Sequence, residues 1–235
     1  MIDGTTPILN SSASRRLDVS IVAGSAPERR EAWPIVKSVG DRVASVVLLI
    51  MIAPLLLLIA VLIKLDSPGP VLFRQVRVGR HGELFTVLKL RTMKDKSSAE
   101  LHRRYIASSA TGDAGSDSAL KKLVDDPRIT RVGAFLRRSS LDELPQLFNV
   151  LRGEMSIVGP RPALAYELDF YEPQHFERFG VRPGLTGLWQ VSGRSQLGFT
   201  SMLSLDSEYA RTTSPRVDAM ILLRTPLALL RKNAA

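Results

Sequence analysis

The stretch "VASVVLLIMIAPLLLLIAVLI", Val43 to Ile63, runs 21 residues without a charge. As an α-helix it would measure about 31 Å, close to the hydrocarbon thickness of a bilayer. It exceeds the apolar segment of a secretory signal and no small-residue cleavage site follows it, so it is expected to stay in the mature protein. Pro54 stands at its centre. A proline there removes the N–H that the Ile50 carbonyl needs and crowds the same carbonyl, which predicts a kink or break. In lipid the freed carbonyl needs protein, water or headgroups close by.

The flanks sharpen this reading. Arg29, Arg30, Lys37 and Arg42 precede the run, and Lys64, Arg74, Arg77 and Arg80 follow it. Both sides therefore carry the basic character of cytoplasmic segments. A helix bent at Pro54 that enters and leaves by one face accommodates both flanks. The alternative is an ordinary Pro-kinked span, with one basic flank outside.

Further out, residues 1–32 are rich in Ser, Thr, Pro and charge and lack apolar periodicity, the composition of a disordered tail. Residues 33–64 are expected to form the re-entrant membrane hairpin, and 65–235 a compact domain. Within that domain Val71 to Val78 and Leu84 to Leu90 read as extended segments joined by a turn at Gly79 to Gly82. "SSATGDAGSDS", 108–118, reads as a loop. From Leu141, apolar positions Leu144, Leu147, Phe148 and Leu151 keep helical spacing, and Gly153 supplies a stop. "VDAMILLRTPLALLRK", with Pro226 inside it and Arg231 and Lys232 at its end, reads as an interfacial C-terminal helix or a buried one. The fold class expected is α+β, membrane-associated and mainly helical, with one small β-hairpin.

Composition narrows the chemistry. There is no cysteine, which excludes disulfides, thiolate zinc sites and cysteine nucleophiles. His81, His102 and His175 lie far apart, without the spacing of a helical metal site. The formal charge of +9, from 32 Lys and Arg against 23 Asp and Glu, favours an anionic partner. It admits a membrane-tethered module that binds anionic lipid or nucleic acid without catalysis. The basic residues are scattered, however, with no aromatic platform between them and no helix-turn-helix or zinc spacing, so no nucleic acid is expected.

Two carboxylates, Asp142 and Glu143, stand side by side in "SSLDELPQ", 139–146. Ser140 and Glu143 fit a capping box, and acidic groups gain from a helix N-terminus. Adjacent carboxylates can equally share one hard cation while one of them attacks an electrophile. Arg137 and Arg138 lie just upstream, and Arg161 sits between two prolines in "GPRP". Guanidinium forks suit phosphate oxygens.

At this point "LDELPQLFNVLRGEMSIVGPRP" closely resembles the signature of bacterial monotopic phosphoglycosyl transferases, the bacterial sugar transferases. The resemblance continues through "LKLRTM" (88–93), "DDPRITRVGAFLRRSS" (125–140), "RPGLTGLWQVSGR" (182–194) and "LDSEYA" (205–210), and spans about residues 35 to 232. It implies transfer of a phosphosugar from a nucleotide-diphosphate sugar, a UDP-hexose at family level, to polyprenyl phosphate. The setting it implies is the cytoplasmic face of the bacterial inner membrane, among phospholipid, as a first membrane step of exopolysaccharide or other surface glycan synthesis. By resemblance Asp142 matches the nucleophile, and Glu143 the residue that, with Asp142, holds Mg2+. Arg137 and Arg161 match positions that meet phosphate or nucleotide. Arg182, Gln190 and Asp206 fall in motifs lining the same region, and Lys89 and Arg91 in a stretch near the active face. A homo-oligomer is compatible with this picture. One departure is Ala53, where the family often has a serine before the proline.

Overall fold

The structure, a computed structural model, describes residues 33–94, 128–193 and 197–232. The expected tail at 1–32, the loop at 108–118 and His102 lie outside the described residues. Helix α1, Trp33–Asp66, absorbs the apolar run and both polar flanks into 34 residues, about 51 Å at helical rise. Among the described residues it is the one helix long and apolar enough to cross a membrane. The helical assignment passes through Pro54, so the lost donor kinks at most and does not end the helix. Ile50, Met51 and Leu57 are at least 70% exposed, whereas Ser45, Ile59 and Ile63 are buried.

Strands β1, Leu72–Val78, and β2, Leu84–Leu90, form the expected antiparallel hairpin, with Phe73 opposite Lys89, Gln75 opposite Val87 and Arg77 opposite Phe85. Its turn is a 3-10 segment, Arg80–Gly82, in which Gly82 takes φ 79. Helix α2, Arg131–Ser139, starts from Thr130, whose side chain accepts from the Gly133 N–H. A 3-10 turn, Leu141–Glu143, then leads into α3, Gln146–Arg152. Gly153 closes α3 in the left-handed conformation at φ 80, the stop expected of it.

A second sheet, parallel and two-stranded, escaped the sequence reading: β3, Ser156–Val158, pairs with β4, Gly184–Thr186. Two 3-10 segments, Ala165–Phe170 and Pro173–Gly180, lie between them. Three helices finish the chain: α4, Leu188–Ser192, α5, Phe199–Thr212, and α6, Pro215–Lys232.

The apolar interior is a chain of small clusters. One joins Ile59 and Ile63 of α1 to Leu90 and Leu136, with Leu141 packed against it, so the residue before Asp142 is anchored on α1. A second sets Val87 against Val150 and Met155, seating β2 on α3. A third joins Val158, Tyr209 and Ile221, fixing α5 and α6 to β3. The α6 face opposite Ile221 leaves Leu223, Leu227 and Leu230 at least 59% exposed.

Candidate active site

Asp142 and Glu143 occupy the 3-10 turn before α3, not the first turn of the helix. Pro145 keeps the two segments apart, and Ser140, at φ 58, makes no side-chain cap bond. The capping-box expectation is therefore corrected. With its serine turned into the left-handed region, the turn presents both carboxylates half-buried, above the Leu141 anchor.

Lys89 reaches this turn from β2. Its Nζ donates to Glu143 Oε1 at 3.0 Å, with the two side chains 26% and 32% exposed. The alternation of the strand places Gln75 and Arg77 on the same hairpin face as Lys89, since the residues opposite them, Val87 and Phe85, lie two and four positions from Lys89. Arg77 Nη1 donates to the Pro162 carbonyl at 3.0 Å, and its Nε and Nη2 to Gln75 Oε1 at 3.1 and 2.6 Å. One hairpin face thus runs from the dyad to the "GPRP" loop. From the sequence alone Arg77 is only one of the basic residues that follow the apolar run. The alternation through β1 was the signal that could have placed it beside Lys89.

Arg161 is fixed in that loop. Its Nη1 donates to both oxygens of Glu167, at 3.0 and 3.1 Å, its N–H to Asp206 Oδ2 at 3.2 Å, and its carbonyl accepts from Arg178 Nη2. Burial opposes the Arg161 charge, but Glu167 outweighs it and holds the guanidinium above its ordinary pKa. Close backbone packing shapes the loop from below. A Cβ on Gly184 would stand 2.1 Å from the Gly159 nitrogen, and one on Gly187 2.2 Å from the Gly159 carbonyl oxygen. This explains glycines in both "VGPRP" and "RPGLTG". Arg137, on the other side of the dyad, donates from Nε to Thr92 Oγ1 at 3.1 Å. Arg138 is exposed.

Four residues of the expected set are bound into the framework around the site, Asp206 through the Arg161 loop. Arg91 is buried and closes the end of α1, donating to the Ser67 carbonyl at 2.6 Å and the Pro68 carbonyl at 2.7 Å. Asp206, fully buried, pairs with Arg178 Nη2 at 2.6 Å. Its burial pushes the carboxyl up to about 6, against the pull of Arg178. Arg182 donates to Ser38 Oγ at 3.0 Å, near the start of α1. Gln190 packs its side-chain oxygen toward Gly187. These residues shape the domain around the site. The two described histidines take no part: His81 sits in the hairpin turn, and buried His175 accepts the Glu172 N–H through Nδ1 at 3.1 Å.

The carboxylate pair, with Lys89 on Glu143, thus stands beside an arginine-bearing loop on a domain fastened to an apolar helix, an arrangement suited to phosphate-bearing substrates. The sequence profile of the bacterial sugar transferases matches residues 32–232, and the chain belongs to that family. It is a phosphoglycosyl transferase. It is 42% identical over 186 residues to the exopolysaccharide production protein ExoY of Rhizobium meliloti, covering 79% of this chain and 81% of that protein. Over 219 residues it is 45% identical to the UDP-glucose:undecaprenyl-phosphate glucose-1-phosphate transferase of Caulobacter vibrioides, covering 89% and 75%. The undecaprenyl-phosphate galactose phosphotransferase of Salmonella typhimurium is 41% identical over 195 residues, which cover 83% of this chain and 40% of that longer protein.

Proposed function

We propose that the protein transfers a phosphosugar from a UDP-hexose to undecaprenyl or another polyprenyl phosphate through a covalent intermediate on Asp142. An Asp142 carboxylate oxygen attacks the sugar-linked phosphorus, the bridging P–O bond breaks, and uridine monophosphate leaves. An oxygen of polyprenyl phosphate then attacks the same phosphorus, the aspartyl–phosphorus bond breaks, and the carboxylate returns. The observation that carries this reading is the dyad turn itself, which sets Asp142 beside Glu143 in Leu141–Glu143, with Lys89 on Glu143. The names of the relatives, which specify glucose and galactose phosphotransfer to undecaprenyl phosphate, support the donor and acceptor classes.

Mg2+ fits the donor set. This ion is held by one or two carboxylates with substrate phosphates and water, not by an all-protein cage. Asp142 and Glu143 supply such a pair, and no cluster of three or more candidate ligands exists among the described residues. When bound, the ion neutralises diphosphate charge. Arg137 and Arg161 orient the phosphates, and Lys89 holds Glu143 in place between turnovers.

The acceptor is a lipid, and the fastening of α1 supports a re-entrant topology. Lys37 donates to Asp218 at 2.6 Å, while Asp66, near the other end, accepts from the Val132 N–H at 3.0 Å. One domain thus holds both ends. The apolar middle of α1 and the outward leucines of α6 would lie in the cytoplasmic leaflet of the inner membrane, among phospholipid.

The test is a single-turnover reaction of the full chain with Mg2+ and UDP-glucose or UDP-galactose, without acceptor. Up to one equivalent of uridine monophosphate and a phosphosugar adduct by intact mass are expected, and both vanish in Asp142→Asn. If a donor that turns over with acceptor never yields the adduct under rapid quench, the covalent route is wrong.

A further inference from the structure

The cations around the dyad divide by how they are balanced. Lys89 is paired with Glu143 at 3.0 Å and Arg161 with Glu167 at 3.0 Å. Arg77 stands between them on the hairpin face, half-buried, and its partners are neutral: the amide oxygen of Gln75 and the carbonyl of Pro162. Among the described residues no carboxylate lies within 4.0 Å of it. A guanidinium offers five N–H donors, and these contacts leave one free on each terminal nitrogen. Burial and then the charge of Arg161 lower its pKa to about 10, so it stays cationic at neutral pH. A desolvated cation facing a second cation is unfavourable unless something anionic joins them. The fold stiffens Arg77 through Gln75 and the loop, and the charges of Glu167 and Glu143 act on it only from beyond ion-pair distance.

We propose that Arg77 binds the diphosphate of the nucleotide-sugar donor, bridging the dyad turn and the Arg161 loop. This rests on the phosphoglycosyl donor proposed above. The diphosphate supplies a negative charge in direct contact, and the N–H left on each terminal nitrogen is a donor for its phosphate oxygens. The Pro162 contact also ties donor occupancy to the loop that carries Arg161, so the diphosphate is gripped from the strand and from the loop together. Gln75 is the positioning residue, since both of its contacts orient the guanidinium plane.

The experiment is calorimetric titration of the full-length protein in detergent, with Mg2+, using UDP, GDP, TDP and ADP and the matching uncharged nucleosides. For the nucleoside diphosphate that binds, Arg77→Met should weaken affinity at least tenfold and Arg77→Lys about threefold to tenfold. Nucleoside affinity and the melting temperature of Arg77→Lys should not change. Unaltered diphosphate affinity in either folded variant overturns the assignment and leaves the donor reading standing. Loss of the fold in both variants also overturns it, because Arg77 is then a structural strut. If the wild-type protein binds none of the four diphosphates, the donor reading fails and takes the Arg77 site with it.

Discussion

Arg161 is held at its N–H, its carbonyl and its guanidinium, and the partners come from three different segments. The prolines on either side of it were legible in the sequence as a local restraint. Its real fixture was not, because Arg178 and Asp206 are 17 and 45 residues away and only the fold brings them together. The depth of Asp206 was hidden in the same way, because a motif gives position in the chain and not burial. Arg178 and Asp206 are 1% and 0% exposed, so removing the cation leaves a buried carboxyl without its counter-charge, held by the Arg161 N–H. Arg178→Met should cost about 3–5 kcal/mol at pH 7.5. The sign with pH follows from Asp206, whose pKa is already raised to about 6 by burial. A carboxyl raised in the folded state contributes stability at low pH that is lost as pH rises through the folded value. Losing Arg178 raises it further, so the variant holds its proton to higher pH than the wild type and loses the ionised pair. At pH 5 both proteins hold the proton and the gap should narrow. Urea midpoints at the two pH values test this, and a gap independent of pH would refute the account.

At the scale of elements, the hairpin and the Gly153 stop were legible because alternation and glycine punctuation are local signals. β3 and β4 were not, since three residues each are too few to show a period. The start of α3 was misjudged because the apolar spacing continues through the 3-10 turn, which Pro145 separates from the helix. The join between β2 and α3 rests on Asn149, fully buried inside "LFNVLRG". Its Oδ1 accepts the Leu88 N–H at 3.1 Å, and its Nδ2 donates to the Thr86 carbonyl at 2.7 Å and to Glu154 at 2.7 Å. The side chain thus serves as a strand edge for β2. Asn149→Ala leaves two buried backbone groups unsatisfied, at about 1–3 kcal/mol each. The denaturation midpoint should fall accordingly. Phosphosugar turnover should fall with it, because Lys89 follows Leu88 and meets Glu143. A stable variant with native turnover would show that β2 does not depend on this side chain.

Across the whole molecule, the question is where the two ends of α1 lie. The flanking charges suggested one face, but for a reason the structure revises: Lys37 was counted as a basic flank, and it forms ion pairs with Asp218 and Asp41, its side chain 15% exposed. The stronger argument is mechanical. At the start of α1, Asp41 accepts from Ser156 Oγ at 2.5 Å and Ser38 accepts from Arg182. At its end, Arg91 and Val132 N–H hold the last carbonyls and Asp66. A span would separate these anchor points by about 30 Å of hydrocarbon, with buried polar contacts of one domain on both sides. Pro54 and the exposed apolar residues between the anchors fit a dip into one leaflet, since the freed Ile50 carbonyl then lies near headgroups and water. The chain has no cysteine, so single cysteines at Val36 and Arg74, both exposed and outside the anchoring contacts, report topology without background. In intact spheroplasts a membrane-impermeant maleimide should label neither site, and permeabilised cells should label both. Labelling of only one site from outside would make α1 a true span and overturn the re-entrant reading.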